Sequence, residues 1–144
     1  MRKYLAILMV LTLFSLFFVS CRQAEPLAPE EPIVTLLAPS QGSTMSSGDV
    51  QVRIYLQNFK LTPDIGQANR PGEGHIIYYL DASAPLAATT PATTAANSFK
   101  ASSETSYTWS NVPPGKHTFW VQLVNNDDTP LLPPVAVRAT VTLK

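Results

Sequence analysis

Val50-Gln51-Val52-Arg53-Ile54-Tyr55-Leu56-Gln57 sets Val50, Val52, Ile54 and Leu56 in strict alternation with Gln51, Arg53, Tyr55 and Gln57. Successive strand side chains point to opposite faces, so this period of two buries one apolar face and leaves a mixed face outside. On its N-terminal side, residues 33–39 (IVTLLAP) are β-branched and apolar, stop at a proline, and lead into the turn-rich SQGSTMSSGD, which reads as a first strand and its turn. On its C-terminal side, residues 58–72 hold Pro63, Gly66, Pro71 and Gly72 without periodicity, a long connection.

HIIYYLD, residues 75–81, follows, with Ile76, Tyr78 and Leu80 on one face and His75, Ile77 and Tyr79 on the other. Both faces are apolar, which places the strand in the middle of a sheet or covers its second face with a loop or a partner. Residues 82–103 form an Ala/Thr/Pro/Ser-rich stretch with one aromatic, Phe99, expected as a surface loop replacing a strand. SYTWS (106–110) and HTFWVQLVN (117–125) flank NVPPGK and are expected to pair with each other, with Phe119, Val121 and Leu123 inward. The last strand, 135–143, directs Val135, Val137, Val141 and Leu143 to the core.

No segment beyond residue 33 carries a helical period with caps, whereas six or seven short strands are separated by turn signals. The expected fold is all-β, an immunoglobulin-like antiparallel β-sandwich of about 100 residues over 33–144, without the Cys pair of antibody domains. All 13 prolines fall outside the expected strand interiors.

Ahead of this domain, Arg2 and Lys3 precede an uncharged, mostly apolar run, 4–20, in the layout of a secretory signal. Phe18-Val19-Ser20-Cys21 resembles a bacterial lipoprotein lipobox, with Phe18 where that family prefers Leu. The resemblance implies that 1–20 is a cleaved signal peptide and that Cys21 becomes the first mature residue, carrying a thioether-linked diacylglyceryl group and an N-acyl chain. An uncleaved anchor is the alternative, since membrane-spanning helices need about 17 to 25 residues. In either case Arg2 and Lys3 put everything after residue 21 outside the cytoplasm. The expected location is lipid-anchored and extracytoplasmic, at an outer membrane or cell surface. Residues 21–32 then comprise the acylated cysteine and a Pro/Glu-rich tether, extended at about 3.1 Å per residue where it is polyproline-like.

With 144 residues, the chain holds one domain plus its tether. Setting aside Arg2 and Lys3, 8 of the 10 basic residues face 10 acidic ones, which argues against a nucleic-acid partner. Cys21 is the only cysteine, so disulfides, thiolate metal sites and redox chemistry are excluded from the domain. Gly-x-Ser-x-Gly, Ser-x-x-Lys, His-Glu-x-x-His and phosphate-cradling glycine loops are all missing, which speaks against an enzyme.

Residues 38–59, the run Gly72-Glu73-Gly74-His75-Ile76-Ile77-Tyr78-Tyr79-Leu80-Asp81, and Pro114-Gly115-Lys116-His117 leading into residues 121–127 together resemble a group of bacterial extracytoplasmic immunoglobulin-like domains of unknown function. Members often carry histidine where this chain has Ile77 and Asp128. Of that histidine set His75 and His117 remain, so no metal ligand is assigned and no cofactor is expected.

His75 and Asp81 share a strand face but stand nearly 20 Å apart at about 3.3 Å per residue. His117 is expected to cap the end of the sandwich. Asn125, Asn126, Asp127 and Asp128 form a polar turn with oxygens suited to a hard cation, and equally an ordinary Asx turn. By parity Tyr55, Tyr79, Trp109 and Trp120 point outward, as a recognition face or as aromatics covered by loops. The candidate binding residues are therefore His75, Tyr79, Asp81, His117, Trp120, Asp127 and Asp128, with Cys21 for lipid attachment. The function expected is a non-catalytic envelope domain that binds a protein, peptide or glycan. The alternative is a metal-handling domain using His75, His117 and Asp128.

Overall fold

The computed structural model describes residues 30–94 and 98–144. Among the described residues nine strands run in chain order: β1 (Ile33–Ala38), β2 (Thr44–Met45), β3 (Gly48–Gln57), β4 (Lys60–Leu61), β5 (Glu73–Leu80), β6 (Phe99–Ser102), β7 (Ser106–Val112), β8 (Gly115–Val124) and β9 (Pro130–Leu143). One sheet has the order β1-β3-β7, and the other runs β2-β9-β8-β5-β4 with β6 also paired to β5. All the long pairings are antiparallel; the short β2 and β4 pair parallel to β9 and β5. Placing the first, second and fifth long strands opposite the third, sixth and seventh gives the A-B-E and C-F-G division of an immunoglobulin-like sandwich. β6 then lies beside C, where antibody constant domains instead put a D strand beside E.

The core is built by the alternation read in the sequence. Val50, Val52 and Ile54 of β3, Ile76 and Tyr78 of β5, Phe119, Val121 and Leu123 of β8, and Val141 and Leu143 of β9 are buried in one cluster between the sheets. Val135 and Val137 pack against it from the start of β9. The Tyr78 hydroxyl donates to the Glu104 carbonyl at 2.7 Å, and its ring stacks on Tyr107, centroids 5.7 Å apart. Tyr107 meets Trp109 edge-on at 5.1 Å, so Trp109 faces the core rather than outward as parity suggested.

Three other expectations are corrected. β7 pairs with β3, not with β8. Pro113 and Pro114 follow Asn111, at φ 57°, so the NVPPGK segment carries the chain across the sandwich instead of closing a hairpin. The Ala/Thr-rich stretch contains a strand after all: β6 pairs along β5, Tyr79 with Phe99 through Ile76 with Ser102. Finally, β9 begins at Pro130, so Pro130, Pro133 and Pro134 lie inside a strand. Its register jumps from Val124↔Pro130 to Leu123↔Val135, leaving residues 131–134 as a bulge that demands no N–H from the two prolines within it.

Gly74 admits the close approach of β8 to β5. A Cβ there would collide with the Val124 carbonyl oxygen and come within 3.0 Å of the Phe59 ring.

Phe119 sits at the centre of the cluster with no exposed surface, whereas Tyr55 is 54% exposed on the opposite sheet. Phe119→Ala is expected to lower unfolding free energy by about 3–5 kcal/mol in denaturant titration. Tyr55→Ala should shift it by no more than about 0.5 kcal/mol.

Candidate functional site

β5 turns Ile76 and Tyr78 into the sandwich and His75, Ile77 and Tyr79 out of it, yet all five side chains are fully buried. The outer side is roofed by the segment after β5. Ala84 and Ala92 pack with Ile77, Tyr79 and Val124 into a second buried cluster, flanked by Phe99, Ala101 and Trp120. Small side chains allow the backbone to lie close against the sheet and lose almost no rotamer freedom when buried.

Polar anchors hold the roof. The single Tyr79 hydroxyl proton lies between two acceptors, Gln122 Oε1 at 2.8 Å and the Ala92 carbonyl at 3.1 Å. Gln122 Nε2 donates to the Pro85 carbonyl, and the Ala92 N–H donates to the Asp128 carbonyl at 2.7 Å. Burial pushes the Tyr79 phenol far above its ordinary range, with the Asp128 carboxylate adding to the shift. Tyr79 is thus a structural post under the roof, not a recognition aromatic.

The two histidines each meet an aspartate distant in the chain. His75 Nε2 lies 2.8 Å from Asp128 Oδ1. His117 Nδ1 lies 2.7 Å from Asp81 Oδ2, and its Nε2 lies 2.9 Å from the Pro113 carbonyl. Asp81 and Asp128 both occupy left-handed backbone, φ 56° and 67°, at turns that aim their carboxyl groups back at the sheet. Asp81 Oδ1 also accepts the Thr118 N–H at 2.8 Å. His75 stands opposite Val124, seven residues along β8 from His117, a separation of about 23 Å at about 3.3 Å per residue. His75, His117 and Asp128 therefore do not come together as one ligand set. Among the described residues no three His, Cys, Asp or Glu side chains converge.

The polar turn disperses its oxygens. Asn125 Nδ2 donates to the Thr129 hydroxyl, and Asn126 Oδ1 accepts from the Thr62 hydroxyl. Asp127 Oδ1 accepts both the hydroxyl and the N–H of Thr129, and the hydroxyl holds the Asp127 carboxyl below its ordinary range. This is an Asx turn braced from within.

Among the described residues, nothing roofs the other half of the outer face. Across β8 and β9, Lys116 stands opposite Thr142, Thr118 opposite Thr140 and Trp120 opposite Arg138. The Arg138 guanidinium carbon lies 5.1 Å from the Trp120 ring centroid, within cation–π range. A recess of about 230 Å³ is lined by Trp120, Arg138, Thr118, Asp81, Ala82 and Ser83. A second, of about 390 Å³, continues past Thr118 between Lys116, Thr140 and Thr142. Trp120 and Asp81 were legible as candidates. Arg138, Lys116 and the threonines were not, because only strand pairing gathers them.

The sequence matches no protein-family profile and no curated protein. Among solved structures, an engineered protein is similar over 81% of this chain and 21% of its own, with 12% identity and a TM-score of 0.48. The fibronectin(III)-like modules of CbhA from Clostridium thermocellum are similar over 79% of this chain and 47% of theirs, with 13% identity and a TM-score of 0.46. The chain thus spans less than half the length of either.

Two outcomes follow from the roof and its histidine. Tyr79→Phe removes the donor shared by Gln122 and Ala92 and should cost about 1–3 kcal/mol in chemical denaturation. Burial lowers the His75 pKa below its usual value, a shift that the Asp128 and Asp127 carboxylates oppose. A neutral folded histidine contributes stability that is complete above the unfolded pKa of about 6.5 and is lost as pH falls toward the lower folded value. Stability should decline below pH 6.5 by at most about 1.4 kcal/mol per pH unit from this group. His75→Gln should flatten the decline below about pH 6.5; an unaltered slope would refute the assignment.

Proposed function

We propose that the chain is a lipid-anchored, non-catalytic domain of the cell envelope that binds through the unroofed half of its outer sheet face. The observation that carries this reading is the row of Lys116, Thr118 and Trp120 beside Arg138, Thr140 and Thr142, open on a sheet whose other half is sealed. A ligand-binding surface gains from standing on rigid strands, and this one stands on the most extensively paired strand of the sandwich.

The histidines support a non-catalytic role. Both His117 nitrogens meet oxygens of the protein, which makes the ring a strut between the turn and the strand end. His75 is fully buried and its Nδ1 has no partner among the described residues, so no nucleophile stands on its free side. A histidine–carboxylate pair without a nucleophile lacks the arrangement that activates one. Anchoring rests on Cys21, the only thiol, placed directly after the apolar run.

The test has two arms. In detergent phase partition, the wild-type chain should enter the detergent phase, and Cys21→Ser should remain aqueous or retain residues 1–20 by mass. Identical partition and identical mass would sink the anchor. In sedimentation with isolated envelope material, the detergent-solubilised chain should pellet and Arg138→Ala should do so several-fold less. Equal pelleting would sink the binding face.

A further inference from the structure

The chemistry of the unroofed half narrows the ligand, an inference that rests on the binding reading above. Arg138 and Lys116 are exposed, and among the described residues neither takes part in an ion pair. The Arg138 guanidinium lies over the Trp120 ring, and among the described residues no hydrogen bond engages it. Its in-plane N–H groups are left for a planar, bidentate acceptor, the geometry of a carboxylate. Lys116 lies opposite Thr142, four residues along β9 from Arg138, so the backbone positions that carry the two cations stand about 13 Å apart along the strands at about 3.3 Å per residue. Between them the Thr118 and Thr140 hydroxyls, 3.0 Å from each other, keep acceptor and donor capacity to spare. The two recesses share Thr118 in their linings and together mark a track along this line.

We propose that this track binds an extended, carboxylate-bearing polysaccharide, with Arg138 and Lys116 holding successive carboxylates and Thr118, Thr140 and Asp81 bonding hydroxyls between them. Backbone positions this far apart along the strands suit a chain that presents successive carboxylates. Asp81 on the rim opposes a dense polyanion such as a nucleic acid, yet it accepts hydrogen bonds from sugar hydroxyls. A protein partner calls for an apolar or aromatic interface core, and this surface offers one tryptophan among hydroxyls and charges.

The full chain, solubilised in detergent, is run by affinity electrophoresis through gels containing polygalacturonate, neutral dextran or poly-L-glutamate. Polygalacturonate should retard it, less so as salt rises because exposed charges are screened. Dextran should not retard it, and polyglutamate should do so at least tenfold more weakly. Arg138→Ala and Lys116→Ala should each weaken polygalacturonate binding about tenfold with an unchanged melting temperature, and Arg138→Lys should recover only part of the loss.

Absence of retardation by polygalacturonate overturns the proposal, as do variants that bind like wild type. Equal retardation by polyglutamate overturns it in favour of an acidic peptide, and equal retardation by dextran in favour of a neutral glycan. Arg138-dependent pelleting with envelope material but no polygalacturonate binding would overturn the ligand class and leave the binding face standing. Loss of the lipid anchor would not alter the gel result.

Discussion

A strand that is apolar on both faces is the constraint around which this molecule is arranged. β5 gives Ile76 and Tyr78 to one side and Ile77 and Tyr79 to the other. A two-layer sandwich covers only the inner side of each sheet. Leaving the outer pair in water would forgo roughly 1.5–3 kcal/mol for each large side chain. The segment between β5 and β6 removes that exposure by returning across the outer face, with Ala84 and Ala92 as its contact points and β6 as its hydrogen-bonded exit. Its described residues pack as far as Trp120 and so divide the face into a sealed half and an open one. The candidate site is the remainder.

The polar groups buried by this arrangement explain the histidines. A roof over a sheet encloses donors and acceptors that water would otherwise satisfy, and each needs a partner. Gln122 and Tyr79 answer one another and the roof's carbonyls, while Asp128 supplies its backbone to Ala92 and its carboxylate to His75. At the opposite end Asp81 joins the end of β5 to His117 and to the Thr118 N–H of β8. The two His–Asp pairs brace the ends of the β5–β8 pairing, and the second holds Thr118 in place on the open half.

Strand identity and facing were legible in the sequence because side-chain parity is a local property. The inward positions of β3, β8 and β9 follow from alternation, and the double apolarity of β5 announced a cover of some kind. Pairing was less legible. SYTWS and HTFWVQLVN are separated by a proline-rich turn that resembles a hairpin connection, but hairpin turns and crossings between sheets draw on the same residues. β6 was hidden because FKAS is only four residues long and lies within a biased stretch, and short edge strands carry little pattern. The histidine partners were not legible for a related reason: Asp128 is 53 residues from His75 and arrives through the turn after β8, and Asp81 is 36 residues from His117.

By itself the sequence determined an all-β domain, the inward face of its main strands and the lack of thiols in the folded part, since all three depend on composition or on the two-residue period of a strand. Tertiary structure alone decided that His75 and His117 stand apart, that Tyr79 is a buried post, and that Arg138 and Lys116 share an open face with Trp120. Those facts depend on which strands become neighbours and in what register. Register brings together residues distant in the chain, and the energy that selects it is shared over a whole sheet rather than written in any one segment.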